Sequence, residues 1–405
     1  MRFKITLCQA SKLIFIVYMF YEMALRRLFV DSNALSYGML FIALLLQLMY
    51  DKRIKSNTNI TMLLAFFVIS LGSSYIVAVD YRRAAVYLFL FLKYVLMAHL
   101  VIRYSDVDKD IDFAVKLFIA VALFIAILVI TVGYGEYRLT YSEDVNVNGI
   151  GVTMMFGIAF LLYYFIDKPK NILNTIVYIS LTLFLLYITM RTVSKKAIIG
   201  SLLLLVLWFI VCYGKAFKNM GVVKRTIILV FLGIVAYFSY QWFINERSSV
   251  YQYLLFRFGR LNANDNGSTQ ERLYLIKEGF AQFLDNPIIG VGFNNFRYHN
   301  MYNTYSHCFY IELLVCCGLT GAALFFIPLL NVIRCFTYEL RVSKLSGYYL
   351  LRTKCKYLLC IYFGLLLLAV TQIIFYEFEL MYCLAVLFGY ACLLRQGYLR
   401  DAETR

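Results

Sequence analysis

Charge is scarce in this 405-residue chain, at 15% of residues against 62% hydrophobic, and only three prolines interrupt the apolar text. That balance excludes a water-soluble globule and predicts an all-α, polytopic membrane protein. The ten cysteines form no CxxC pair and lie almost entirely within apolar runs, so neither a disulfide framework nor a metal site is expected, and each thiol reads as a small packing residue. A Walker A loop, a GxGxxG turn and an HExxH helix are all missing, which leaves nucleotide hydrolysis and zinc hydrolysis without support. The first apolar run lacks a small-residue cleavage site and carries Glu22, so it is expected to be retained as a helix.

What the chain has in quantity is apolar runs of membrane-crossing length. Roughly 17 to 25 residues span the hydrocarbon layer. About twelve such runs can be marked: Leu13 to Val30, Leu35 to Tyr50, Ile60 to Val79, Ala84 to Ile102, Phe113 to Gly133, Gly149 to Ile166, Ile172 to Met190, Ala197 to Gly214, Thr226 to Ile244, His307 to Leu330, Tyr357 to Phe375, and Leu380 to Leu394. With the N-terminus inside, 24 of the 39 Lys and Arg fall to inner segments, 14 to outer ones and Lys93 to the membrane. Basic loops stay on the cytoplasmic side, so both termini are expected there, and the net charge of +16 reflects topology and anionic headgroups rather than nucleic acid. The expected organisation is one integrated membrane domain: nine spans over 1–244, an extracytoplasmic loop over 245–306, and three spans with a cytoplasmic tail over 307–405.

Asp106, Asp108, Asp110 and Asp112 in "SDVDKDID" mimic a metal-binding DxD pattern, but between two spans and without a nucleotide-binding domain they read as a charged turn. The long loop is the one soluble segment large enough to build a site. Ser268 and Glu271 have capping-box spacing, and Leu273, Ile276, Phe280 and Leu284 recur at helical spacing before Asn286-Pro287 ends the pattern. An amphipathic surface helix is expected, with Arg272 in its first turn, where free N–H groups and the helix dipole favour an anion. Gly290 and Gly292 then give the backbone freedom to turn toward the membrane. Short outer loops carry Arg138, Arg191, Lys195 and Lys196, cations the topology rule would keep out, and their cost points to a diphosphate.

The order "RLYLIKEGFAQFLDNPIIGVGFNNF" then "SHCFYIELLVCCGLTGAALFF", with "YRLTYSEDVNVNGIG" and "TVSKKAIIG" upstream, resembles the O-antigen ligase and O-antigen polymerase superfamily, integral-membrane glycosyltransferases of the GT-C class. The resemblance implies a GT-C-like fold and metal-free, cofactor-free, inverting transfer of a glycan from undecaprenyl diphosphate on the outer face of the cytoplasmic membrane. It assigns the diphosphate to Arg272 and Lys195, with Lys196, Arg138 and Arg191 beside them, and the base or acceptor-positioning role to His307. A flippase and a chain-length regulator of the same pathway are the further partners it implies. The chain departs from the family at Lys195, where arginine is usual, and at Cys308, where asparagine commonly follows the histidine. His299-Asn300 supplies a literal His-Asn pair but lies too far upstream, and His99, inside a span, reads as packing. Histidine suits the proton transfer because its unperturbed pKa lies near 6.5. Glu312, five residues on and about 140° round a helix, is not expected to orient His307 directly. The wording around His307 favours a polymerase over a ligase. A flippase would need ionisable groups deep in several spans or inverted repeats, and beyond Glu22 and Lys93 there are few.

Overall fold

The computed structural model describes residues 6–26, 28, 32–51, 57–133, 139–142, 145–169, 171–219, 221 and 267–397. The expected span Thr226 to Ile244, Arg138 and the loop up to residue 266 lie outside the described residues. Within them the protein is all-α: α1 (Leu7–Phe20, continued by a π-turn Tyr21–Leu25), α2 (Asn33–Tyr50), α3 (Thr58–Val77), α4 (Tyr81–Asp108), α5 (Asp112–Thr131), α6 (Val147–Phe165), α7 (Ile172–Arg191), α8 (Lys195–Asn219), α9 (Gly267–Asp285), α10 (Phe309–Ser346), α11 (Tyr349–Leu368) and α12 (Phe378–Arg395). Ten helices among the described residues are long and apolar enough to cross a membrane. The remaining two are α9, the amphipathic helix expected from the loop, and α11, which opens on Arg352, Lys354 and Lys356. The protein is a multi-pass membrane protein.

Helix starts follow side-chain chemistry. Thr6 and Gln9 form a reciprocal capping box on α1, while Ser32, Asn57, Asp80, Asn146 and Asn171 each accept a first-turn N–H from the N-cap position. The chain divides into two compact units, one formed by Met1–Val121 with Gly267–Arg405, the other by Ala122–Asn266.

In the first unit the ionisable groups expected inside the membrane compensate one another. Lys93 donates to Glu22 at 2.5 Å and to Ser36 at 3.3 Å, Arg26 reaches Glu22 at 2.8 Å, and Ser36 donates to Glu22 at 2.5 Å. Two spans' worth of buried charge thus becomes one hydrogen-bonded pair, the arrangement that makes such burial tolerable. The acidic turn is likewise used internally: Asp108 pairs with Lys12, Asp106 with Arg103, and Asp110 accepts the N–H groups of Ile111 and Asp112. Arg103 also pairs with Asp51.

The apolar run after His307 is more complex than a single straight span. Gly318 inside α10 has φ 61° and ψ −166°, a conformation essentially confined to glycine. The rings of Phe309 and Phe325 stand 5.2 Å apart, although a straight helix would hold residues sixteen positions apart about 24 Å from each other. Tyr310 and Phe326 stack in the same way at 6.3 Å. The helix therefore bends back on itself at Gly318. The segment after α9 completes the hydrogen bonding broken by that bend. Leu319 and Thr320 donate backbone N–H groups to the carbonyls of Pro287 and Ile288, while Val291 and Gly292 donate theirs to Val315 and Cys316. Non-helical backbone in a membrane domain persists only where protein satisfies it in this way. Gly290 and Gly292, at φ 71° and 96°, supply the expected turn.

This folded-back element sits on an aromatic cluster. Phe66 from the middle of α3, Phe91 from α4, and Phe293, Phe309, Phe325 and Phe375 form one connected cluster in which neighbouring rings stand 5.1 to 6.5 Å apart. Residues 290–296 accordingly run inward among the helices, and Phe293 is fully buried with its N–H donated to Ser74.

Candidate active site

In the first unit, His307 stands immediately before α10, with Cys308 at the N-cap position. Its φ of 57° places a non-glycine residue in the left-handed region, a strained backbone that persists only when its neighbours fix it. Ser306 does so from one side, donating from Oγ to the Cys308 carbonyl at 2.9 Å and accepting the Cys308 N–H at 3.3 Å, so that it spans His307. Glu312 does so from below. Its carboxylate is fully buried and accepts the Ser306 N–H at 2.8 Å, the Tyr376 hydroxyl at 3.2 Å and the Cys316 thiol at 3.5 Å. The expectation that Glu312 plays no direct part in orienting His307 holds for ring contact, but the carboxylate anchors the amide preceding it.

The His307 ring is half-buried and packs 4.3 Å from Tyr305, which lies 6.3 Å from Tyr376, itself 5.5 Å from Tyr87. Tyr376 is pushed well above the ordinary phenol pKa by burial and by the Glu312 charge, so it remains a donor. Tyr305 is raised by burial, Glu377 and Glu312, and pulled back by the cations of Arg272 and Arg297. The Tyr305 ring therefore lies within electrostatic reach of both arginines.

Arg272 is exposed on α9, which packs through Gly279 against Ile311 and Phe296 and through Tyr274 against Tyr302 at 5.4 Å. One expectation is corrected: α9 is already helical at Gly267 and includes Ser268, so Ser268 is not its N-cap and Arg272 stands in the second turn, away from the free N–H groups. The Ser268 side chain lies outside the described residues. Arg297, which the sequence did not single out, donates to Asn294 at 3.0 Å beside the same tyrosine. The whole 293–300 segment is pinned to the α3–α4 turn, with Asn295 bonded to the Asp80 backbone and Tyr298 to its carboxylate. His299 sits in a 3-10 turn, its Nε2 buried without a partner in the described structure, and Asn300 is occupied as a loop staple to the Phe296 and Thr304 carbonyls.

In the second unit, the two upstream sequence patches meet. Leu139 donates its N–H to the Arg191 carbonyl at 3.1 Å. Gly151 lets α6 approach the α7–α8 turn so closely that an added Cβ would stand 2.8 Å from Thr192 Oγ1 and 3.0 Å from Ser194. Lys195 and Lys196 are the first two residues of α8, half-buried, preceded by Val193 at φ 51° and by Ser194, whose buried hydroxyl has no partner in the described structure. Cations at a helix N-terminus oppose the macrodipole at about 0.3–1 kcal/mol each. Arg191 ends α7 with its guanidinium on the Tyr187 hydroxyl at 3.0 Å. Clustered there, these three cations and the helix N–H groups are suited to a multiply charged anion.

No curated protein matches the chain. Residues 179–326 match the family model described as O-antigen ligase, a stretch that takes in Arg191, Lys195, Lys196, Arg272, Glu312 and His307 and ends within the folded-back arm of α10. Over that stretch, a little over a third of its length, the chain is similar to the O-antigen ligase family.

Proposed function

We propose that this membrane glycosyltransferase is a polysaccharide polymerase, moving a glycan chain from polyprenyl diphosphate to a sugar hydroxyl of a lipid-linked repeat unit on the outer face of the cytoplasmic membrane. The observation that carries the reading is His307, held in a strained left-handed backbone beside Tyr305 within the family-matched region. In the reaction the acceptor oxygen attacks the anomeric carbon, its proton passes to the His307 imidazole, and the bond from that carbon to the diphosphate oxygen breaks with its electron pair leaving on the diphosphate. The family resemblance and the charges of the outer loops assign Arg272, Lys195, Lys196, Arg138 and Arg191 to the charge that develops on the leaving group. Attack opposite the leaving group inverts the anomeric configuration. No metal is invoked.

The similarity to the O-antigen ligase family favours a second reading, a ligase that transfers the finished glycan to lipid A core. Glycan ladders separate the two in a strain lacking the gene, complemented with wild type, His307→Ala or Arg272→Ala at matched protein level. Single-repeat glycan on its final carrier identifies a polymerase, and full-length chains stranded on polyprenyl diphosphate identify a ligase. A normal ladder from His307→Ala removes that residue from the mechanism and makes His299 the next residue to test.

A further inference from the structure

At the end of the first unit remote from His307, α10 and α12 border an open cavity of about 480 Å³ lined by three exposed arginines, Arg334, Arg341 and Arg395. A smaller cavity of about 190 Å³ adjoins it, sharing Asn331, Cys335 and Arg395 in its lining. Among the described residues none of the three guanidinium groups pairs with a carboxylate. Glu339 also lines the cavity, but it is fully buried and offsets only one of the three charges. Three like charges gathered on one concave surface attract an anion even where solvent screens their mutual repulsion, and the larger volume falls within the range of small-molecule sites, roughly 300–1,000 Å³.

The height of the cavity in the membrane domain narrows the ligand. Asn331 donates to the side chain of Asn59 at 3.1 Å, in the first turn of α3. The 20 residues of α3 rise about 30 Å, the thickness of the hydrocarbon layer, so this contact marks one boundary of that layer. Arg334 lies about one turn beyond it. Phosphate groups of lipid headgroups occupy that depth, and planar guanidinium forks bind phosphate oxygens two at a time.

We propose that this arginine-lined cavity binds the phosphate group of an anionic ligand, either a lipid headgroup or a soluble diphosphate. It is a site separate from the residues around His307 and does not depend on their chemistry.

The test uses the full chain in nanodiscs. In one arm, native mass spectrometry counts phosphatidylglycerol retained from discs of phosphatidylcholine with phosphatidylglycerol; in the other, calorimetry follows titration with inorganic pyrophosphate in pure phosphatidylcholine discs. The variant is Arg334→Gln/Arg341→Gln/Arg395→Gln. Lys344→Gln, an exposed lysine outside the cavity lining, controls for loss of positive charge. A headgroup ligand predicts that the triple variant loses retained phosphatidylglycerol by about tenfold or more while the control does not. A soluble ligand predicts pyrophosphate binding that the triple variant abolishes. If the triple variant and the control behave alike in both arms, with unchanged thermal unfolding showing that each is folded, the arginines serve topology alone and the proposal is overturned.

Discussion

Replacing Glu312 distinguishes a carboxylate that holds the His307 segment from one that merely fills space. It accepts three donors at once: the Ser306 amide, the Tyr376 hydroxyl and the Cys316 thiol. Glu312→Ala leaves the amide and the phenol buried without an acceptor, at about 1–3 kcal/mol each, so a loss of roughly 2–6 kcal/mol is expected. Glu312→Gln behaves differently. Its carbonyl oxygen can replace the acceptor facing Ser306, and its NH₂ can donate to the Tyr376 oxygen once that hydroxyl turns round, because a phenol both donates and accepts. What is lost is the charge assistance, which roughly doubles the strength of such bonds, so a cost of about 1 kcal/mol is expected. Thermal unfolding of the purified protein should rank wild type above Gln and Gln well above Ala. Glycan laddering should follow the same order, because the strained His307 backbone relaxes when its anchor goes. An alanine variant as stable and as active as wild type would refute the anchoring argument. Equal and severe losses from Gln and Ala would show instead that the negative charge itself is required.

Gly318→Ala places a Cβ against the Ile288 carbonyl at a backbone conformation only glycine adopts, so a loss of about 3 kcal/mol or more is expected in thermal unfolding. Gly347→Ala, at φ 77° with open space around it, should cost only about 1 kcal/mol and so separates steric from conformational cost. Lys195→Gln relieves a cation at the N-terminus of α8 and should raise stability by about 0.3–1 kcal/mol while lowering glycan transfer, whereas Lys195→Arg should keep both; a Gln variant that is less stable and fully active would contradict the anion-binding role. Burial lowers the His299 pKa below 6.5, so between the folded value and 6.5 the unfolded chain binds more protons. Its contribution is complete above about pH 6.5 and is lost as pH falls through the folded value, and His299→Asn should flatten that part of the stability profile measured by unfolding across pH 5 to 7.

The reach of the sequence was set by whether a feature is local. Membrane spans are local, since hydropathy is summed over neighbours, and Asn57, Asp80 and Asn171 cap the helices that their positions before apolar runs predict. The turn glycines Gly290 and Gly292 were legible for the same reason. The bend at Gly318 was not. The sequence "CCGLTG" continues an apolar run, and what permits the bend is main-chain bonding from Pro287 to Gly292, more than twenty residues upstream. The role of Glu312 was hidden by a related error of geometry. A helical-wheel angle between His307 and Glu312 assumes that both lie on one helix, whereas α10 begins at Phe309 and His307 has a positive φ. Once His307 is outside the helix, the side chain in the first turn can reach back to the amide before it, as an acidic residue near an N-terminus does in a capping box. His307, half-buried, precedes a Phe309 ring seated on Phe375 and Phe325, within a cluster that takes in the middle of α3. If His307 is the base, the partial burial of its ring reduces the competition from water for the proton of a sugar hydroxyl, a condition under which one positioned imidazole is worth more than it is at an open surface.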